Sequence, residues 1–233
     1  MSPTDGVIRE AWELYRAHWR HLLPISFLVY VTTAIIAALL TAVLTWLGAL
    51  IAALISLVGL FWVQGALATA VEDIRDGRAD LSLGETFSRV RPQLGSIVVA
   101  GVLAGIGVSL GLLLLIVPGL VLMTWWVLII PVTALERASA GAAFGRSREL
   151  VRGYGWKVFG VIVLTILLLL GFEVVLAIVL TPLADWLRNS VANVVSGTLT
   201  APFIALVWTL LYFRLRQAKS APAAAAPSPV TST

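Results

Sequence analysis

Glu173 is the one ionisable residue lying far inside an apolar run of this 233-residue chain. Four leucines precede it in the run, and valine, leucine and isoleucine follow. Placing an ionised carboxylate in hydrocarbon costs about 2.5–3.5 kcal/mol even on lenient insertion scales. Glu173 must therefore be protonated, hydrogen-bonded or turned toward a wet cavity. Two uses fit that requirement: a proton, cation or lipid-headgroup site, or a neutral acid satisfied by a threonine, a backbone carbonyl or the outer interface. Gln64 is a second polar group inside an apolar run, and it suits either a hydrogen bond between helices or a ligand contact.

Arginine supplies the other chemistry. Glu136 and Arg137 end one apolar run, and Arg146, Arg148 and Arg152 follow closely. The guanidinium fork matches phosphate oxygens as well as carboxylates. The cluster therefore reads as a salt-bridge network holding a surface helix, or as a cavity for a phosphate or glycerophosphoryl headgroup. Glu72, Asp73, Asp76 and Asp80 form an acidic group, but Arg75 and Arg78 are interspersed, which favours solvated helix-end pairing over a cation site. Catalytic patterns are missing: the two histidines, His18 and His21, lie before or at the edge of the first run, and there is no phosphate loop or nucleophile elbow. The expectation is a non-enzymatic chain with no cofactor and no metal ligands. With no cysteine there are no disulfides or thiolate sites either.

These residues need a membrane to position them. The chain is 60% hydrophobic and 12% charged, against roughly 25% charged in ordinary globular domains, and its mean hydropathy is +0.99. Six runs reach the length of a spanning helix, at about 22–46, 49–71, 95–117, 119–135, 156–180 and 195–212. Leu47 and Gly48 mark a tight turn between the first two. Pro118 and Gly119 mark the reversal between the third and fourth, and Pro131 predicts a kink in the fourth. With six spans, 15 of the 16 Lys and Arg residues fall on one side, leaving only Arg188 opposite. The positive-inside bias then places both termini in the cytoplasm. The first run is too long for a signal-peptide core, so no cleaved leader is expected. Although the net charge is +4, the basic residues sit in short pieces beside apolar runs. That points to anionic lipid headgroups on the cytoplasmic side, not to nucleic acid.

The inner segments share a pattern. Ile8, Trp12, Tyr15, Trp19 and Leu22 have the spacing of an apolar helix stripe. Leu83, Phe87, Val90 and Leu94 repeat it, and Ala140, Phe144, Ser147, Val151 and Tyr154 repeat it more weakly. This alignment puts Arg16, Arg91 and Arg148 at one equivalent position. Thr4 or Asp5, Ser82 with Glu85, and Ser139 are the expected helix caps. The fold expected is all-α: a six-helix membrane bundle with three amphipathic helices on its cytoplasmic face. Two origins fit the pattern, a threefold internal repeat or convergence of interfacial helices. Gly101, Gly105, Gly107 and Gly111 give two small-residue spacings of four, which suit packing within the bundle or homo-oligomerisation. Most of the nine tryptophans, Trp46, Trp156 and Trp186 among them, fall near run ends as interfacial anchors. Residues 1–219 read as one membrane domain, and the Ala, Pro, Ser and Thr-rich residues 220–233 as a disordered tail.

Residues 116–160 carry a family resemblance. Pro118 and Gly119, then Pro131 and Glu136, then Arg146 and Ser147, then Gly153 and Trp156 follow the pattern of the membrane-domain family named after glycerophosphoryl diester phosphodiesterases. They also resemble related small bacterial inner-membrane proteins. Gly65 and the Asp73, Gly77 and Arg78 exit extend the likeness, which covers roughly residues 60–215. The resemblance implies a multi-pass protein of the bacterial cytoplasmic membrane. It does not carry the enzyme, because no soluble barrel with its histidines and carboxylates is present. The leading expectation is a protein that binds, senses or organises membrane lipids or a membrane partner. The alternative is a small transporter or channel for a lipid, a proton or a small solute, using Glu173 where repeats meet.

Overall fold

The computed structural model describes residues 2–77 and 80–224; within α8 the side chains of residues 185–187 and 189, and those beyond 220, are not described. Every regular element among the described residues is helical. The order is α1 (Val7–Arg75), α2 (Leu83–Val90), a 3-10 turn (Arg91–Gln93), α3 (Leu94–Leu114), α4 (Ile116–Trp126), α5 (Ile129–Leu135), α6 (Ala140–Val151), α7 (Gly155–Leu180) and α8 (Asp185–Ala224). Among the described residues, five helical stretches are long and apolar enough to cross a membrane. The first of these is the 69-residue α1.

α1 is not straight. Thr45 has φ 52° and ψ −123°, outside the helical region. A Cβ on Gly48 would strike the carbonyl of Leu40, and one on Gly59 would lie 3.0 Å from Thr33 and 3.3 Å from Val29. Residues eight or more apart on a straight helix cannot touch, since each residue rises 1.5 Å. α1 is therefore a helical hairpin, with limbs before and after Thr45. The reversal falls at Thr45, not at the expected Leu47 and Gly48; Gly48 instead permits the close approach of the limbs. A second break, at His18 (φ −119°, ψ 20°), separates the N-terminal amphipathic segment from the first limb.

The expected turn at Pro118 and Gly119 also moves. α3 ends at Leu114, and Leu115 is extended with φ −153° and ψ 129°. Pro118 then sits in the first turn of α4, where a missing N–H costs nothing. Gly119 lies against Gly111 of α3. The kink expected near Pro131 is present: α4 stops at Trp126 and α5 resumes at Ile129. Proline at 131 has no N–H for the carbonyl of Val127, so the helix is interrupted one turn upstream.

The caps hold in two of three places. Ser82 accepts from the Glu85 amide while Glu85 accepts from the Ser82 amide, a complete capping box. Ser139 accepts from the Ala142 amide. At the N-terminus neither Thr4 nor Asp5 caps α1. Gly6, at φ 72°, is the capping residue, and Asp5 accepts the amide of Ser2 instead.

The buried core gathers one end of the second limb of α1, of the α4–α5 region and of α8. Leu67 and Val71 come from the second limb of α1, Leu128 and Val132 from the α4–α5 region, and Leu210, Tyr212 and Leu215 from α8. The amphipathic segments close around them through Val7 and Ala11, Val90, and Ala143 with Leu150. Each segment also sets an aromatic edge on a long helix. Phe87 of α2 meets Trp62 at 5.5 Å, Phe144 of α6 meets Trp126 at 4.9 Å, and Trp12 meets Phe203 of α8 at 6.4 Å. Toward the other end, leucine, isoleucine and valine lie exposed on α1, α3 and α7, as at Leu54, Leu113 and Val174. That surface suits hydrocarbon. The expected tail begins in helix, since α8 runs to Ala224, while residues 225–233 lie outside the described residues.

Candidate functional site

Glu136 is the polar hub of the end where the amphipathic segments dock. Its carboxylate accepts from Nε of Arg146 at 3.0 and 3.2 Å and from the hydroxyl of Tyr212 at 2.9 Å. Nη1 of Arg146 donates to Glu149 at 3.0 Å, and Arg216 donates to the Tyr212 hydroxyl at 3.3 Å. The Glu136 carboxylate holds the Arg146 guanidinium's pKa above its ordinary value. Arg146 thus ties α6 to α5 and, through Glu136 and Tyr212, to α8.

Arg148 and Arg152 are arranged differently. The Arg148 guanidinium lies 4.2 Å from the ring centroid of Trp125, a cation–π contact. The two arginines, with Trp125, Glu149, Gly145 and Gly153, line a cavity of about 620 Å³. No carboxylate among the described residues bonds either guanidinium, and the one acid on the wall, Glu149, is engaged by Arg146. Gly153 has φ +92°, a left-handed turn that suits glycine. Its carbonyl neighbour at Arg152 accepts from Nζ of Lys219, which pins the tail of α8 beside the cavity. Ser147 fixes the other side: its hydroxyl donates to the Trp125 carbonyl at 2.6 Å and accepts the Leu128 amide at 3.3 Å. The α6 helix is therefore docked by its buried serine, with Arg148 next in sequence laid over Trp125.

Arg16 lines a separate cavity of about 360 Å³ with Tyr15, Trp19, Leu23 and Leu199. Arg91 is exposed at the start of the 3-10 turn. The three aligned arginines are thus not gathered into one cavity, as a joint site would require. Each segment docks on a different helix, at Phe203, Trp62 and Trp126, which holds the three arginines apart.

Glu173 is exposed and accepts the Ser196 hydroxyl. Ser196 belongs to α8, so the contact joins α7 to α8. Gln64, half-buried, lines a cavity of about 320 Å³ with Val127, Pro131, Trp208 and Thr209. The Thr209 hydroxyl is buried there without a partner. Among the glycines of α3, a Cβ on Gly101 would strike Phe61, one on Gly107 would lie 2.6 Å from Trp126, and one on Gly111 would lie 2.9 Å from Gly119. Gly105 faces open space. Trp156 is 86% exposed at the start of α7, edge-on to Phe159. Trp186's side chain lies outside the described residues. In the acidic group, Asp73 accepts the amides of Asp80 and Leu81 at 3.0 and 3.2 Å, fixing the approach to α2.

Sequence reasoning missed Tyr212 and Lys219. Tyr212 stands 76 residues from Glu136, and nothing local in either segment announces the pairing. Trp125 reads from the sequence as an interfacial anchor, with an aromatic cage formed with Trp126 as the other use, and nothing local pairs it with Arg148. No protein-family model matches the chain, and comparisons with curated proteins and with solved structures return no match.

Proposed function

We propose that this chain is a non-enzymatic six-pass membrane protein, built from three related units, that binds anionic lipid headgroups on its cytoplasmic face. The observation that carries the reading is the cavity of Arg148 and Arg152. It offers two guanidinium groups free of carboxylates among the described residues, one held over an indole, beside a backbone turn of glycines. Phosphate oxygens satisfy such a pair as bidentate acceptors.

Two observations support the three units. The aromatic contacts run in a ring: the segment opening each unit meets the second long helix of the preceding unit, and Trp12 of the first meets Phe203 of the third. The two arginine cavities also use matching positions. Arg148, Val151 and Gly155 line one, and Arg16, Trp19 and Leu23 line the other, at the same spacing. Six crossings follow from folding α1 at Thr45, with the termini inside by charge bias. The resemblance of residues 116–160 to a bacterial inner-membrane domain belongs to the same proposal.

The test is thermal unfolding of the purified protein titrated with short-chain phosphatidylglycerol or phosphatidylcholine. Phosphatidylglycerol should raise the midpoint selectively, and Arg148→Gln with Arg152→Gln should reduce the difference. Equal shifts from both lipids in the wild type would refute the reading. A transport role is the second reading, favoured by the Gln64 and Thr209 cavity inside the bundle. It requires Gln64→Leu to abolish a flux that headgroup variants leave intact.

A further inference from the structure

The cavity of Arg16 does not end at its arginine. Tyr15 and Leu199 line it on one side, and the same two residues line an apolar groove of about 550 Å³. Between them the Tyr15 hydroxyl donates to the Leu199 carbonyl at 3.1 Å, so they form a sill common to both spaces. The groove runs under Trp12 and Phe203 to Leu168 and Phe172, near the middle of α7. Its walls are almost wholly hydrocarbon and aromatic. Arg16 is exposed, and among the described residues no carboxylate bonds it. A cation at the mouth of a groove that leads into apolar helix faces complements an amphiphile with an anionic head. The Arg148 cavity shares no lining residue with this groove.

We infer that Arg16 and the groove between the N-terminal segment, α7 and α8 form a two-part site for a single anionic glycerophospholipid, its phosphate at Arg16 and one acyl chain lying against Leu168 and Phe172. This rests on the headgroup reading above and assigns it a particular lipid geometry. The occupant is a bilayer lipid and not a soluble phosphate, because only a lipid uses both halves. It also separates the two arginine cavities by role. Arg148 and Arg152 meet a headgroup alone, while Arg16 holds a lipid with one chain drawn out of the annulus. The exposed Trp19 lines the same cavity as Arg16, as an interfacial indole does near headgroups.

The experiment uses the full chain in nanodiscs containing phosphatidylglycerol with a diazirine at mid-chain, irradiated and mapped by peptide mass spectrometry. Labelling should concentrate on residues 168–172 and 199–203 over the equally apolar exposed face at 113–117. Unlabelled phosphatidylglycerol should compete it away, and unlabelled phosphatidylcholine should not. Arg16→Gln removes a charge-assisted contact, so the focused labelling should fall about tenfold. Leu168→Trp, which fills the groove, should reduce it without altering the lipid-selective thermal shift at Arg148 and Arg152. Labelling spread evenly over all exposed apolar faces overturns the inference. So does focused labelling that Arg16→Gln leaves unchanged. If either result appears while the Arg148 and Arg152 variants still show a reduced selective thermal shift, the headgroup reading stands and only the two-part site fails.

Discussion

Ser147 shows how one hydroxyl docks α6 on the break between α4 and α5. It is fully buried and serves both the Trp125 carbonyl and the Leu128 amide at the break between α4 and α5. Ser147→Ala leaves both groups without that partner inside the protein, so stability should fall by roughly 1–3 kcal/mol, read as the midpoint of thermal unfolding in detergent. Glu136→Ala should cost a similar amount, toward the lower end, because Arg146 is about a third exposed and water screens the pair. Glu136→Gln retains an acceptor for Tyr212 and should recover part of the loss. Arg146, Ser147 and Glu136 were legible as a group from their closeness in sequence. Which arginine is structural and which faces a cavity was not legible. Arg146 and Arg148 differ by two positions, which on a helix turns them to different sides, and only the docked helix reveals which side holds Glu136.

At the scale of elements, the glycines of α3 give a sharp contrast. Gly111→Ala sets a Cβ 2.9 Å from the backbone of Gly119 and should destabilise by about 1–3 kcal/mol. Gly105→Ala meets nothing and should be neutral or stabilise by about 0.5–1 kcal/mol through helix propensity. Equal effects at the two sites, measured by thermal unfolding, would contradict the described packing. The spacing of four predicts which glycines share a face, but not which of them has a neighbour. The capping box of α2 predicts a pH effect. Its hydrogen bonds from Ser82 hold the Glu85 carboxyl below its ordinary value. A depressed value in the folded state contributes stability above the ordinary carboxylate range and loses it as pH falls through the folded value. Hydrogen-exchange protection of the α2 amides, normalised to intrinsic rates, should drop on acidification, and Glu85→Ala should abolish that drop. Ser82 and Glu85 were readable directly, since a capping box is local chemistry. Both turns lie a few residues from where the sequence puts them, because Pro118 is tolerated in a first helical turn and Gly48 serves a close approach of the two limbs. Leu115 and Thr45 take the irregular dihedrals instead.

For the whole molecule, the all-helical architecture and the alternation of apolar runs with basic segments were present in composition and periodicity. The ring of contacts was not. Trp12 meets Phe203, and Tyr15 reaches Leu199, across most of the chain length. Such closure depends on how the long helices assemble and leaves no local pattern. The Arg16 and Arg148 cavities are proposed each to take an anionic lipid. Native mass spectrometry of the minimally delipidated protein, comparing wild type, Arg16→Gln, Arg148→Gln and the double variant, measures it most directly. The account predicts discrete phosphatidylglycerol adducts, one fewer in each single variant and two fewer in the double. An adduct distribution identical in all four proteins, or one indifferent to lipid charge, would contradict it.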